Sequence, residues 1–545
     1  MPTSAAAILL QLRSIVQHVN RGAIKSLRRR MKASPHCPPR FKGAAMIARF
    51  LAAFALGAFA ACGFAPFDLW PLTLACLAIL LAMLSQADTL RRALAIGWFF
   101  GFGHFCVGLN WIATAFTFQA AMPAWLGWIA VVLLSLYLAV YPALATGAAW
   151  LLAGRKPTAL GPCFAATWIV AEFLRATLFS GFAWNPLGVV WLPTSLPVAR
   201  ASILIGTYGL SGLVILTSAS AWLFFRRNFR AGGVAILPVA IAFAAGLPFE
   251  TPRSAEPRPL LHIVQPNINQ AEKWDEAAEA TNFARIVRLT GKPGSTPRLI
   301  LWPEVAIPWF LEEDANARRA LANLLGPHDL LLTGGEAFQY DRAGNPVTAT
   351  NSVFGMTPQG RLLGRYDKAH LVPYGEYLPM RPLLSRIGLS RLAPGDMDFL
   401  SGPGPRNVIL PGFGPVGVQI CYEIIFSGHV VDRANRPLFL FNPSNDAWFG
   451  RWGPPQHLAQ ARLRAIEEGL PVVRATPTGI SAIIQPDGQI TASVPWGRAG
   501  AIEGPLPPAM QPTPFARLGN VLPLGFSGLL MLAGLATRRR NAKRS

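Results

Sequence analysis

Between residues 44 and 249 the chain passes through seven apolar stretches of bilayer-spanning length, near 44–64, 68–85, 93–116, 124–153, 159–180, 199–225 and 233–249, and an eighth runs from about 519 to 537. A helix needs about 20 largely apolar residues to cross a hydrocarbon core of roughly 30 Å. The sequence is 52% apolar and only 14% charged, against the about 25% charge of soluble proteins, so much of it belongs where charge is costly.

The formal charge of +22 invites a nucleic-acid reading, but its distribution argues against one. The excess gathers at the two ends, as in Arg28, Arg29, Arg30 and Lys32, and again in Arg538, Arg539, Arg540 and Lys543. Between the apolar stretches it falls in every second loop: Arg91 and Arg92, then Arg155 and Lys156, then Arg226, Arg227 and Arg230. The positive-inside rule makes those loops and both termini cytoplasmic. The expected organisation is a basic cytoplasmic tail over 1–43, a transmembrane domain of about seven helices over 44–249, a large domain on the opposite face over 250–515, and a last transmembrane helix with a basic tail over 516–545. The first segment lacks a small-residue cleavage site after its basic stretch and is not read as a signal peptide; Met46 is an alternative start.

Within the fifth span Glu172 and Arg175 stand three residues apart, on one helical face. Ionisable groups at that depth are functional by default, the plainer reading being mutual neutralisation near a helix end.

From Leu260 onward the pattern changes to short β-type runs, LLHIVQ, RLILWPE, LLLTGGE, VGVQICYE, LFLFNPS and GISAIIQPDG, separated by Pro and Gly turns. Helical stretches fall around Asp275–Leu289, Asp314–Leu325 and Gln456–Glu468. Strands alternating with helices over this length predict one α/β domain. Five of the six cysteines lie in the tail or in apolar runs, which leaves Cys421 alone in the polar region, without a disulfide partner there.

Three ionisable groups fall near element ends. Pro303 breaks the run Arg298–Trp302, so Glu304 lies just past a strand; Lys368 sits in a polar loop; and Cys421 closes the alternation Val416, Val418, Ile420. A carboxylate to move protons, a cation to hold an oxyanion and a thiol to attack are what acyl transfer requires. A free thiol is only about 3% thiolate at pH 7, so a neighbouring base or cation has to activate it.

The motifs WPE with Glu304, YDKAHLVPYGEYLP with Lys368 and QICYE with Cys421 resemble the nitrilase superfamily. The further segments AEFLRATLFSGFAWNPLG (Ala171–Gly188), GFAPFDLWPL (Gly63–Leu72) and NPSNDAWFG (Asn442–Gly450) resemble its membrane-bound branch, the apolipoprotein N-acyltransferases, over nearly the whole chain after about residue 44. That resemblance implies an αββα sandwich on a polytopic helical membrane domain of about eight helices in all. It also implies a bacterial inner-membrane enzyme with its catalytic domain on the periplasmic side. The activity implied moves an acyl chain from a membrane phospholipid, through a Cys421 thioester, to the α-amino group of a diacylglyceryl apolipoprotein.

Under the same resemblance Glu304 is the base, Lys368 with a backbone N–H near Tyr422 holds the oxyanion, and Glu376 and Glu423 support them by orienting Lys368 or tuning the thiol. Trp274, Tyr374 and Trp448 are candidate substrate contacts. No cofactor is implied, and the sequence shows neither a P-loop nor zinc-ligand spacing. Pro477 stands where the family often has Asn, and it is expected to touch no member of the triad. Two rival readings are a membrane-tethered amidohydrolase, which needs the same triad, and a transporter with Glu172 and Arg175 on its pathway; no paired repeat of interrupted apolar segments supports the latter.

Overall fold

The computed structural model describes residues 39–118, 122–193, 195–247, 259–273, 275–388, 390–392 and 398–542. The basic tail through residue 38 and Trp274 lie outside them. Among the described residues six helices are long and apolar enough to cross a membrane: Ala44–Ala61, Leu126–Ala153, Pro157–Thr177, Ser202–Phe225, Phe229–Gly246 and Val521–Arg539.

The other two expected spans differ in form. Leu90–Gly108 and Ile112–Phe118 make a seventh only as a pair bent by 48°. The bend has a local cause: the Asn110 side chain donates to the Val107 carbonyl at 2.8 Å and competes with the helix for that acceptor. The stretch near 68–85 forms the apolar helix Trp70–Ser85 of only 16 residues, about 24 Å at 1.5 Å per residue and short of a full crossing.

Basic loops meet at one end of the bundle. Arg155 donates to the Asp88 carbonyl, Asp88 pairs with Arg92, and Arg538 of the last helix donates to the carbonyls of Leu151 and Leu152 at 3.3 and 3.1 Å. The last helix lies along Pro157–Thr177, where Ser527 donates to the Ala166 carbonyl at 2.9 Å. Glu172 and Arg175 do not pair directly. The Glu172 carboxylate accepts from Trp168 Nε1 (2.9 Å), Leu187 N (2.8 Å) and Ser211 Oγ (2.5 Å), while Arg175 donates to the Trp184 carbonyl (2.8 Å).

The remaining chain builds two six-stranded sheets. The strands are β1 (Leu260–Gln265), β2 (Arg298–Leu301), β3 (Leu330–Tyr340), β4 (Pro346–Met356), β5 (Leu362–Asp367), β6 (Asn407–Leu410), β7 (Gly414–Val418), β8 (Phe439–Pro443), β9 (Val472–Ala475), β10 (Ser481–Ile484), β11 (Ile490–Val494) and β12 (Gly500–Pro505). The orders are β12-β1-β2-β3-β4-β5 and β11-β10-β9-β8-β7-β6, each with a parallel centre, β1-β2-β3 and β7-β8-β9, and antiparallel flanks. Parallel strands buried on both faces read as continuous apolar runs, as RLIL and FLF do. Helices Glu279–Thr290 and Ala315–Ala322 cover the first sheet through Ile286, Ala317 and Leu321, packed on Ile300, Trp302, Leu331 and Phe354.

Helix Gly453–Glu468 joins this sandwich to the membrane helices. Gly206 interrupts Ser202–Phe225 with φ +62°, where a Cβ would lie 2.5 Å from the Phe515 ring, so the regular helix restarts at Thr207 with an N–H that has no acceptor within the helix. Glu467 supplies the acceptor: Thr207 N and Oγ1 donate to its carboxylate at 2.6 and 2.7 Å, and Ser427 adds a third bond at 2.8 Å. A carboxylate from the sandwich thus caps a membrane helix at its positive end. Arg200 pairs with Asp487 at 2.9 Å, and Gln456 bridges Trp184 Nε1 (2.8 Å) and the Ala65 carbonyl (3.0 Å), so the two parts share a polar, buried joint.

Candidate active site

Glu304, Lys368 and Cys421 each follow the C-terminal end of a strand, β2, β5 and β7, and converge between the sheets; their exposures are 5%, 1% and 5%. Each is held by backbone as well as side chain. After β2 the ladder continues irregularly, with Gly334 N donating to the Pro303 carbonyl at 3.1 Å and Ala306 N to the Gly334 carbonyl at 3.0 Å, while Val305 takes φ +43°. That turn needs a glycine opposite it, since a Cβ on Gly334 would lie 2.4 Å from Val305 N. Lys368 is clamped by its own N–H to the Asn351 carbonyl (2.9 Å) and its carbonyl to Gly402 N (2.8 Å). Cys421 has φ +51° and opens a tight 3-10 turn over Cys421–Ile425, a strained strand-to-turn corner of the kind that presents nucleophiles.

Glu304, Asn351, Glu376 and Lys368 form one network. Asn351 Nδ2 donates to Glu304 Oε1 at 2.7 Å and to Glu376 Oε1 at 3.1 Å; Lys368 Nζ lies 2.8 Å from Glu376 Oε1 and 3.5 Å from Glu304 Oε1. Glu304 Oε2 accepts the Asn445 N–H at 2.6 Å, and the Glu304 carbonyl accepts from Lys273 Nζ at 3.1 Å. Although burial opposes a charge on Lys368, the Glu376 and Glu304 carboxylates outweigh it and hold the ammonium above its ordinary value.

Burial and the Glu304 carboxylate push the Cys421 thiol well above its ordinary value, against the pull of Lys368. The resting nucleophile is therefore a thiol, not a preformed thiolate, and a base has to take its proton as it attacks. Burial also pushes Lys273 down to about 8; its stem is part-exposed while its Nζ is enclosed against the Glu304 turn.

The supporting residues divide by what they touch. Glu376 touches Lys368 directly and accepts Val372 N at 2.8 Å. Glu423 instead ties loops together, accepting from Tyr366 OH (2.9 Å), Ala369 N (2.8 Å), His370 N (3.0 Å) and Ile420 N (2.7 Å), and burial pushes it up to about 7. Tyr422 OH donates to the Gly181 carbonyl at 3.3 Å and His370 Nε2 to the Ser180 carbonyl at 2.8 Å, which attaches the site to the loop after helix Pro157–Thr177. Trp448 packs edge-on against Phe118 at 5.8 Å, whereas Tyr374 turns outward, 48% exposed.

Pro477, expected to touch no member of the triad, shares with Glu304 the lining of a cavity of about 50 Å³, which is also bounded by Lys273, Phe283 and Ile307.

Several residues of the site carry no local signal. Asn351 lies in mid-strand, yet it bridges two carboxylates. Beneath Cys421, Asn442, Asp446, His457 and Arg474 form a buried cluster: Asn442 Nδ2 and His457 Nε2 approach the Cys421 carbonyl at 3.3 and 3.1 Å, His457 Nδ1 lies 2.9 Å from Asp446 Oδ1, and Arg474 pairs with Asp446 Oδ2 at 2.7 Å. Of these, Asn442 and Asp446 lie inside NPSNDAWFG, a segment singled out in the sequence.

Two facing sheets with these three side chains at strand ends, joined to a helical bundle, define a membrane-bound carbon–nitrogen hydrolase-type acyl-transfer enzyme. Residues 261–513 match the Carbon-nitrogen hydrolase family and residues 56–220 the Apolipoprotein N-acyltransferase N-terminal domain. The chain is 35% identical to an apolipoprotein N-acyltransferase of Rhodopseudomonas palustris over 90% of its length and 95% of the relative's. It is 37% identical to that of Bradyrhizobium diazoefficiens over 91% and 96%. Among solved structures it is similar to Saccharomyces cerevisiae Nit3, a member of branch 10 of the nitrilase superfamily, at 19% identity and a TM-score of 0.33, covering 48% of this chain and 93% of that one. The chain belongs to the apolipoprotein N-acyltransferase family. It is a membrane acyltransferase of lipoprotein maturation, and the family implies lipid donors and lipoprotein acceptors.

Proposed function

We propose that the enzyme takes its acyl group from a membrane phospholipid, carries it as a thioester on Cys421, and delivers it to the α-amino group of the diacylglyceryl-cysteine that begins an apolipoprotein. The observation that carries this reading is a buried Cys421 thiol within the electrostatic reach of the paired Glu304 and Lys368, in a domain attached to membrane helices.

In the first half Glu304 takes the thiol proton while sulfur attacks the ester carbonyl. Lys368 and the Tyr422 N–H, which has no intrahelical acceptor at the start of its turn, hold the oxyanion. Collapse breaks the ester C–O bond, Glu304 returns the proton to the departing glycerol oxygen, and a lysophospholipid leaves. In the second half the neutral α-amine attacks the thioester, Glu304 accepts its proton, the C–S bond breaks and the sulfur regains a proton. The thioester conserves the acylating power of the ester, so no activating nucleotide enters.

The membrane attachment fits these substrates. Bringing a chain of roughly sixteen carbons into water costs about 13 kcal/mol at ~0.8 kcal/mol per CH₂, so both lipids have to be met at the bilayer. With the basic loops cytoplasmic, the sandwich lies on the periplasmic side of the bacterial inner membrane, and the segment boundaries fall near 44, 250 and 516. In this reading Tyr374 and Trp448 meet acyl chains at the rim.

The test is a two-substrate rate matrix with a phospholipid bearing a tagged acyl chain and a diacylated lipopeptide. Parallel double-reciprocal lines and tag on the peptide's α-amine are expected. Intersecting lines, or tag released only as free acid, would refute the proposal.

A further inference from the structure

The carbonyl of Cys421 and the N–H of Tyr422 belong to one peptide group. We infer that Asp446 and His457 form a buried positioning pair that strengthens the Tyr422 N–H as oxyanion donor by acting on the carbonyl side of that peptide. The inference rests on the acyl-transfer reading above, in which the Tyr422 N–H faces the developing oxyanion.

His457 is fully buried, with Nε2 3.1 Å from the Cys421 carbonyl and Nδ1 2.9 Å from Asp446 Oδ1. Both partners are acceptors only. A neutral imidazole would direct a lone pair at one of them, so each ring nitrogen carries a proton and the ring is an imidazolium.

Other donors do not relieve this requirement. Ser444 has one hydroxyl proton, directed to Asp446 Oδ1 at 2.8 Å rather than to Nδ1 at 3.4 Å, and Arg474 Nη2 lies 3.5 Å from Nδ1 but 2.7 Å from Asp446 Oδ2. Burial and Arg474 pull His457 below its ordinary value, and the Asp446 carboxylate, itself held down to about 2 by Arg474 and His457 against its burial, offsets them only in part; the second ring proton is assigned on the two acceptor contacts, at 2.9 and 3.1 Å.

Asn442 adds a second, neutral donor to the same carbonyl at 3.3 Å. Hydrogen bonds in a chain polarise one another: a carbonyl oxygen that receives a charged donor withdraws electron density from its amide, and the N–H at the other end becomes a stronger donor. The same bonds fix the left-handed corner at Cys421, whose φ is +51°.

Two rates on the full-length protein in detergent separate these effects. Thioester formation from a tagged phospholipid passes through an oxyanion; alkylation of Cys421 by iodoacetamide displaces iodide in one step and does not. For His457→Phe, thioester formation is expected to fall at least about ten-fold, a fraction of the 10²–10³ lost when an oxyanion donor is removed, while alkylation stays within about three-fold of wild type. Asp446→Asn, which leaves a ring N–H for the carbonyl but removes the charge, falls between wild type and His457→Phe. A parallel fall in both rates would overturn the inference, as would unchanged thioester formation. If His457→Phe does not fold, His457→Gln, a neutral donor, carries the same comparison. A wild type that forms no thioester would refute the acyl-transfer reading itself, a result distinct from either.

Discussion

Lys368 Nζ lies closer to Glu376 Oε1, at 2.8 Å, than to Glu304 Oε1, at 3.5 Å. The cation is thereby held beside the candidate base without being its tight ion-pair partner. Glu376 takes the pairing role, and Asn351 spaces the two carboxylates by donating to both. Such an arrangement keeps one carboxylate free for proton transfer and one cation available to an oxyanion.

The first prediction follows from that division. Glu376 is the main source of the upward pull on Lys368, so Glu376→Gln lowers the value at which the ammonium is lost. The alkaline limb of the thioester-formation profile moves to lower pH, and the rate at neutral pH falls about ten-fold or more. A pH–rate profile of acylation in wild type and variant checks it; an unmoved alkaline limb would contradict it.

Gly334→Ala tests the turn that presents Glu304. The added Cβ meets Val305 N at 2.4 Å and the Pro303 carbonyl at 2.6 Å, all backbone, so the turn itself has to shift. Overpacking of this kind costs about 1–3 kcal/mol, and a displaced carboxylate should cut acylation by about 10². Thermal unfolding in detergent and the acylation rate are the measurements.

Lys273 gives a pH signature in stability. Its folded value of about 8 lies below the ordinary 10.5, so between these values the unfolded chain binds the extra proton and stability rises with pH. Wild type should gain about 2–5 °C in unfolding midpoint relative to Lys273→Met as pH rises from about 8 to 10. The part-exposed lysine stem lets solvent screen the charge and keeps the gain at this modest size. Parallel curves for the two proteins would contradict the assignment.

How much of this was legible beforehand depends on whether the signal is local. The apolar runs, the parallel strands RLIL and FLF, and the helix ending at Glu468 announce themselves through composition and period. Glu304 and Cys421 do so through the ends of such runs. The flanking strands β4, β5, β6, β11 and β12 did not, since they are antiparallel, part-exposed and more polar, and their pairing is decided by neighbours far away in sequence. Asn351 and His457 were silent for the same reason: each is an ordinary polar residue until folding brings it to Glu304 or to the Cys421 carbonyl. Glu172 and Arg175 were visible as intramembrane charges, but their separate hydrogen-bond partners come from residues 168–211 on several segments.

Glu467 joins the sandwich to the membrane helices, and its removal is predicted to loosen that joint. Glu467→Ala leaves Thr207 N and Ser427 Oγ without this acceptor and the buried Arg464, now 2.8 Å from the carboxylate, without its counter-charge. Breaking a buried pair from one side costs about 3–5 kcal/mol. Limited proteolysis between the two parts should accelerate sharply, while Ser427→Ala, which removes one neutral bond, should change it little.

The central claim is that an acyl group rests on Cys421. The direct measurement is to incubate purified wild type with phospholipid alone, digest it, and read the Cys421 peptide by mass spectrometry. The account predicts a fatty-acyl adduct on that peptide, released by neutral hydroxylamine, absent from Cys421→Ala, and lost on adding a diacylated lipopeptide as the same acyl group appears on its α-amine. A folded wild-type protein whose Cys421 peptide stays unmodified while acyl transfer proceeds would contradict it.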